Sequence, residues 1–137
     1  MADVHSKEMR SYTMSQVKGK NTKPELLVRK YLFSKGFRYR LHDNKLPGKP
    51  DIVLPKYKTV ILVHGCFWHG HKGCKHSTLP KTRIEYWNNK INNNINRDTN
   101  NLALLNQSNW NVITIWECEI KELLKTDFLQ LQIKKAN

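Results

Sequence analysis

Negative charge is in short supply in this chain. Eleven Asp and Glu face 24 Lys and Arg over 137 residues, a formal net charge of +13 with histidine neutral. So lopsided a balance points to a polyanionic partner, nucleic acid ahead of an anionic membrane surface. Long apolar runs are also missing. None exceeds Val60-Ile61-Leu62-Val63, far short of a bilayer span. Met1 to Lys20 is polar throughout and offers no hydrophobic segment for a signal peptide, so a cytoplasmic protein is expected. Cysteine is rare and odd in number: three thiols cannot all pair within the chain, which leaves free thiols or metal ligands. Internal repeats and domain linkers are absent, and hydrophobic residues at 39% suffice for one core. One domain is expected over residues 21–137, preceded by a basic arm over residues 1–20.

The arm carries Lys7, Arg10, Lys18 and Lys20 with almost no apolar periodicity, as suits a segment that tracks phosphates. Thr22 and Glu25 form a Thr-x-x-Glu capping box around Pro24. Gly36 closes the helix they open, and Leu27, Val28, Tyr31 and Leu32 supply its buried face. Phe37–Leu41 reads as a strand, as do Asp51–Leu54 and Thr59–His64, the last two joined by a turn over Pro55–Lys58. Thr59–His64 is almost wholly β-branched or apolar, the composition of a central strand buried on both faces. After an irregular segment over 65–82, a helix is predicted over 83–107 with the apolar stripe Ile84, Trp87, Ile91, Ile95, Leu102 and Leu105. Asn111–Trp116 is a further buried strand, and 120–133 has a helical pattern of Leu and Ile. The order α-β-β-β-α-β-α predicts an α/β fold, a mixed sheet with helices on both faces.

Cys66, His71 and Cys74 fall within nine residues, and Cys118 follows the last strand. Together they supply the four ligands of a tetrahedral zinc, which would tie an irregular loop to the sheet. His69 and His76 compete with His71 for the imidazole position. The alternative is three buried thiols.

With so few acids, a carboxylate where the pattern wants an apolar residue is informative. Asp98 falls between Ile95 and Leu102 and points along the helix stripe, where it needs a cation or an ion pair with a neighbour such as Arg97. Asp51 opens one strand and His64 ends the next, so Asp51, Asp98, His64 and His69 are expected to converge at one end of the sheet. Carboxylates and imidazoles on a basic chain suit metal-assisted phosphodiester hydrolysis, a cation offsetting the developing charge while an imidazole moves the proton of the attacking water.

Pro50-Asp51, the string Val63-His64-Gly65-Cys66-Phe67-Trp68-His69, Thr82-Arg83-x-Glu85-Tyr86-Trp87, Arg97-Asp98 and Trp116-Glu117-Cys118 resemble the very short patch repair (Vsr) endonucleases. Met14-Ser15-Gln16-Val17 and Asn21-Thr22-Lys23-Pro24-Glu25 resemble that family too, and the likeness covers residues 8–120. It implies a restriction-endonuclease-like fold with a degenerate PD-(D/E)xK site and a structural zinc site. The implied activity is a strand-specific, Mg²⁺-dependent nickase, acting as a monomer on double-stranded DNA at T·G mismatches left by deamination of 5-methylcytosine. Mismatch-repair proteins are implied as further partners, and the bacterial nucleoid as its place in the cytoplasm.

By the same resemblance, Asp51 is the metal-binding aspartate, His64 stands where the usual lysine would be, and His69 is the general acid/base. Asp98 is the second acidic residue, and Glu25 supports the site from the first helix. Cys66, His71, Cys74 and Cys118 are the structural zinc ligands. Phe67, Trp68 and Trp87 form an aromatic wedge entering the DNA stack. The family often carries Thr in place of Val63; a main-chain carbonyl there serves a metal equally from Val, whereas a hydroxyl does not. Read without the family, Phe67 and Trp68 could shield the zinc sulfurs, Trp87 could be core, and Glu25 could be no more than a capping residue. The rival functions are a zinc-stabilised DNA-binding module without catalysis and a nuclease of the same fold that cuts matched duplexes.

Overall fold

The computed structural model describes residues 22–135; the basic arm expected over residues 1–20 lies outside them. The first helix, α1 (Lys23–Ser34), starts where expected: Thr22 Oγ1 accepts from Glu25 N–H at 3.4 Å, and Pro24 occupies its first turn. It ends in a Schellman turn. Phe37 N–H bonds to Leu32 O and Gly36 N–H to Phe33 O, with Gly36 at φ +89°. Leu32 and Phe37 enter the same core, so the turn is fastened by packing as well as hydrogen bonds. The buried face is Glu25, Val28 and Leu32, at spacings of three and four. Leu27 does not belong to it and is 40% exposed, because the i, i+3, i+7 row runs through Glu25.

Four strands form one sheet in the order β1 (Arg40–Leu41), β2 (Ile52–Leu54), β3 (Thr59–His64), β4 (Asn111–Trp116). The first three pair antiparallel and β3 pairs parallel with β4, giving the mixed sheet that was expected. The strand expected over 37–41 shrinks to two residues, since β2 offers only Ile52 and Val53 as partners. Between β2 and β3 a 3₁₀ turn (Pro55–Tyr57) and left-handed Lys58 reverse the chain. Alternation sorts the side chains. Ile52, Leu54, Ile61, Ile113 and Ile115 pack with Val28, Leu32, Ile120, Leu129 and Ile133 on one face. Val53 and Val60 meet Leu105 on the other.

The parallel pair requires a crossover, supplied by the loop 65–83 and α2 (Ile84–Gln107). Its stripe is shallower than periodicity implies. Ile91 and Leu105 are buried, whereas Ile84, Ile95 and Leu102 are exposed, because only parts of this helix lie over the sheet or the loop. The chain closes with α3 (Ile120–Leu123) and α4 (Phe128–Lys135), separated by a turn at 124–127 where one helical stretch was anticipated. Among the described residues no helix is long and apolar enough to cross a membrane.

Candidate functional site

The C-terminal end of β3 gathers the expected carboxylates and histidines. Asp51 precedes β2 and turns its Oδ2 to accept from Val63 N–H at 2.9 Å, which fixes it beside the strand end that carries His64. His64 stacks face to face on His69, ring centroids 3.9 Å apart and planes 2° from parallel. His69 Nδ1–H donates to Asp98 Oδ2 at 2.6 Å, reaching α2 from the loop. That bond orients the ring and leaves Nε2 as its second functional nitrogen. Gly70 makes the approach feasible: at φ +61°, a Cβ there would stand 2.8 Å from Ile91 and Ile95. Asp98 is half-buried and its partner is His69, so it is neither the fully buried acid of the stripe nor paired with Arg97.

Glu25 points inward to a second group. His42 Nε2–H donates to both of its carboxylate oxygens, at 2.9 and 3.1 Å, and Arg29 Nη1 donates to Oε2 at 3.2 Å. Only half of the expected capping box forms, the Thr22 half, because the Glu25 side chain is committed to His42. One ligand atom each from Glu25, His42 and Asp51 lies within 4.8 Å of the others, as do those of His64, His69 and Asp98. His42 was not singled out in the sequence. The signal was present, since pairing Leu41 with Ile52 sets His42 opposite Asp51.

Burial raises the Asp51 carboxyl from 3.8 to about 6, outweighing the Val63 hydrogen bond, with Glu25 adding repulsion. His42 and His69 pull the other way without offsetting the burial, and a carboxylate so desolvated suits a divalent cation. His64 moves the other way, from 6.5 to about 4, through burial and then the repulsion of His69. Its Nδ1 is buried with no hydrogen-bond partner among the described residues.

The two shifts have opposite linkage. Between about pH 6 and 4 folded Asp51 takes up a proton that the unfolded chain does not, so acid stabilises; between about pH 6.5 and 4 the unfolded chain protonates His64 first, so acid destabilises. Asp51→Asn removes one side of this balance. In Mg²⁺-free buffer its melting temperature is expected to fall from pH 6.5 to 4 by roughly 5 °C more than wild type's, and His64→Gln to shift the slope oppositely. Parallel pH profiles for Asp51→Asn and wild type would contradict the raised Asp51 value.

A separate cluster joins the loop to the chain just past β4. Cys66, His71, Cys74 and Cys118 bring one ligand atom each to within 4.8 Å of one another, and Cys118 Sγ is 3.5 Å from His71 Nδ1. Among the competing imidazoles it is His71 that joins the thiols; His69 is engaged by Asp98. Desolvation, then hydrogen bonds with the other two thiols, pushes Cys118 up to about 12, and burial raises Cys66. Cys74 is lowered, chiefly by the His76 backbone N–H. Three thiols and one imidazole at this separation match the donor set of a structural zinc. Trp116 joins the two clusters, stacked on His71 at 4.1 Å and edge-on to His64 at 5.2 Å.

Phe67, Trp68 and Trp87 meet in one half-buried aromatic group, centroids 5.2 to 5.8 Å apart, with Tyr86 against Trp87. None of the three enters either core cluster, so the core reading of Trp87 fails. Asn94 Nδ2 donates to Trp68 O at 2.8 Å and steadies the loop.

Residues 2–76 match the family described as DNA mismatch endonuclease Vsr. The chain is 50% identical over 123 residues to the type II nicking enzyme V.XorIIP of Xanthomonas oryzae, covering 90% of each chain. It is 49% identical over 121 residues to the type II nicking enzyme V.NmeAIP of Neisseria meningitidis serogroup A, covering 88% of this chain and 86% of that one. To the DNA mismatch endonuclease Vsr of Escherichia coli it is 40% identical over 121 residues, 88% of this chain and 77% of the relative. Likeness of this extent covers the sheet and both side-chain clusters.

Proposed function

The chain belongs to the Vsr family of DNA mismatch endonucleases, and from that premise we propose that it nicks one strand of duplex DNA at T·G mismatches. The observation that carries the reading is the array Asp98–His69–His64 beside half-buried Asp51, set on a chain of charge +13. Asp51 and the main-chain carbonyl of Val63 would hold Mg²⁺, with Glu25 in support; when bound, the ion supplies charge neutralisation at the phosphate. The residues do the rest. Asp98 holds His69 as the Nδ1–H tautomer, so Nε2 accepts the proton of the water that attacks phosphorus while the bond from phosphorus to the departing sugar oxygen breaks. Neutral, stacked His64 keeps that ring from rotating and brings no competing charge. Cys66, His71, Cys74 and Cys118 would hold structural Zn²⁺ and fasten the loop that carries His69.

Phe67, Trp68 and Trp87 are read as the wedge that parts the base stack at the mismatch. Replacing Phe67 and Trp68 together by Ala is expected to reduce the preference for T·G over matched duplex by about tenfold or more, with zinc content unchanged. An unaltered preference in a zinc-loaded double variant would move the wedge elsewhere. The function itself is tested by nicking assays with Mg²⁺ on matched and T·G duplexes of varied flanks. Nicking confined to one strand of the T·G duplex is expected. Cutting of matched DNA overturns the mismatch reading, and binding without cleavage overturns the enzyme.

A further inference from the structure

We infer that His42 is a positioning residue for this chemistry, donating one imidazole hydrogen bond across both oxygens of Glu25 to hold that carboxylate toward Asp51. The inference deepens the proposed function and rests on Asp51 and Glu25 being carboxylates of the nicking site. Glu25 is 1% exposed on the core-facing side of α1, and a carboxylate so buried must be held by donors. Arg29 meets Oε2 from one turn along the same helix. His42 arrives from the sheet side and spans both oxygens, so it sets the rotation of the carboxylate and its approach to Asp51.

The backbone of His42 is committed to the same place. It sits in the left-handed region at φ +49°, just past β1, and its N–H donates to Asp51 O at 3.1 Å. One residue therefore ties the main chain of Asp51 to the side chain of Glu25. Outer partners of this kind determine where inner carboxylates point.

Two variants separate this role from a purely conformational one. Asn tolerates the left-handed region well, but its amide nitrogen stands near the place of Nδ1 and falls short of Glu25. Gln extends to the place of Nε2 and has no such backbone preference. A conformational role favours Asn; a donating role favours Gln. In full-length protein, on a T·G duplex with Mg²⁺, His42→Gln is expected to keep kcat within about threefold, while His42→Asn loses about 10- to 100-fold with KM unchanged. In a Glu25→Gln background the same Asn substitution should cost no more than about twofold, because the two residues act as one unit.

The inference is overturned if His42→Asn nicks like wild type, if His42→Gln is as defective as His42→Asn, or if the Asn loss adds in full to Glu25→Gln. A wild-type protein that nicks matched but not mismatched duplex overturns the T·G reading alone, and the His42 comparison is then made on the matched duplex. One that nicks neither overturns both.

Discussion

Asp51→Asn is expected to lower strand nicking by about 10³-fold or more while leaving affinity for the mismatched duplex nearly intact. The substitution keeps shape and removes charge. Asn Oδ1 can accept from Val63 N–H as the carboxylate does at 2.9 Å, so the end of β3 stays in place. What disappears is a carboxylate whose pKa burial raises to about 6. Nicking is measured under single-turnover conditions with Mg²⁺ and binding by titration without it. A folded Asp51→Asn protein that nicks at near the wild-type rate would remove Asp51 from the site.

The second large effect concerns Cys118→Ser. Cys118 is exposed, and an exposed Cys-to-Ser change ordinarily alters stability by no more than about 0.5 kcal/mol. If its sulfur closes a zinc site, the same change opens the clamp between the loop and the end of β4. The expected loss is then on the order of 5 kcal/mol, a large share of a small domain's stability, together with the metal. Elemental analysis of purified wild type should give about one zinc per chain, and Cys118→Ser well below that. A variant as stable as wild type, or a wild type that never carries zinc, rules the metal centre out.

The sequence announces some of this plainly and hides the rest for definable reasons. β2, β3 and β4 were legible because β-branched runs bounded by turns have few other uses, and Cys66, His71, Cys74 and Cys118 because their spacing follows the strand ends. Periodicity names a face but not its depth. Ile95 and Leu102 lie on the predicted stripe of α2, yet nothing in their spacing says that only parts of that helix are covered. Glu25 shows a second blind spot. Its capping pattern is genuine, but its side chain answers to His42, seventeen residues away on another element. Asp98 was legible as out of place and as converging with His69, but the direct bond between them was not, since His69 reaches it only because Gly70 lets the loop come close to α2.

The parallel pairing of β3 with β4 also bears on how the protein is made. Every candidate catalytic side chain, from Glu25 to Asp98, has been synthesised by residue 98. Yet the strand that completes the sheet beside β3 begins at Asn111, and the sulfur that closes the thiol cluster belongs to Cys118. A ribosome-bound chain that has exposed all these candidate groups therefore still lacks the strand that completes the sheet beside them. Assembly of the candidate site thus waits on residues 111–118, the last part of the sheet and of the thiol cluster to be synthesised.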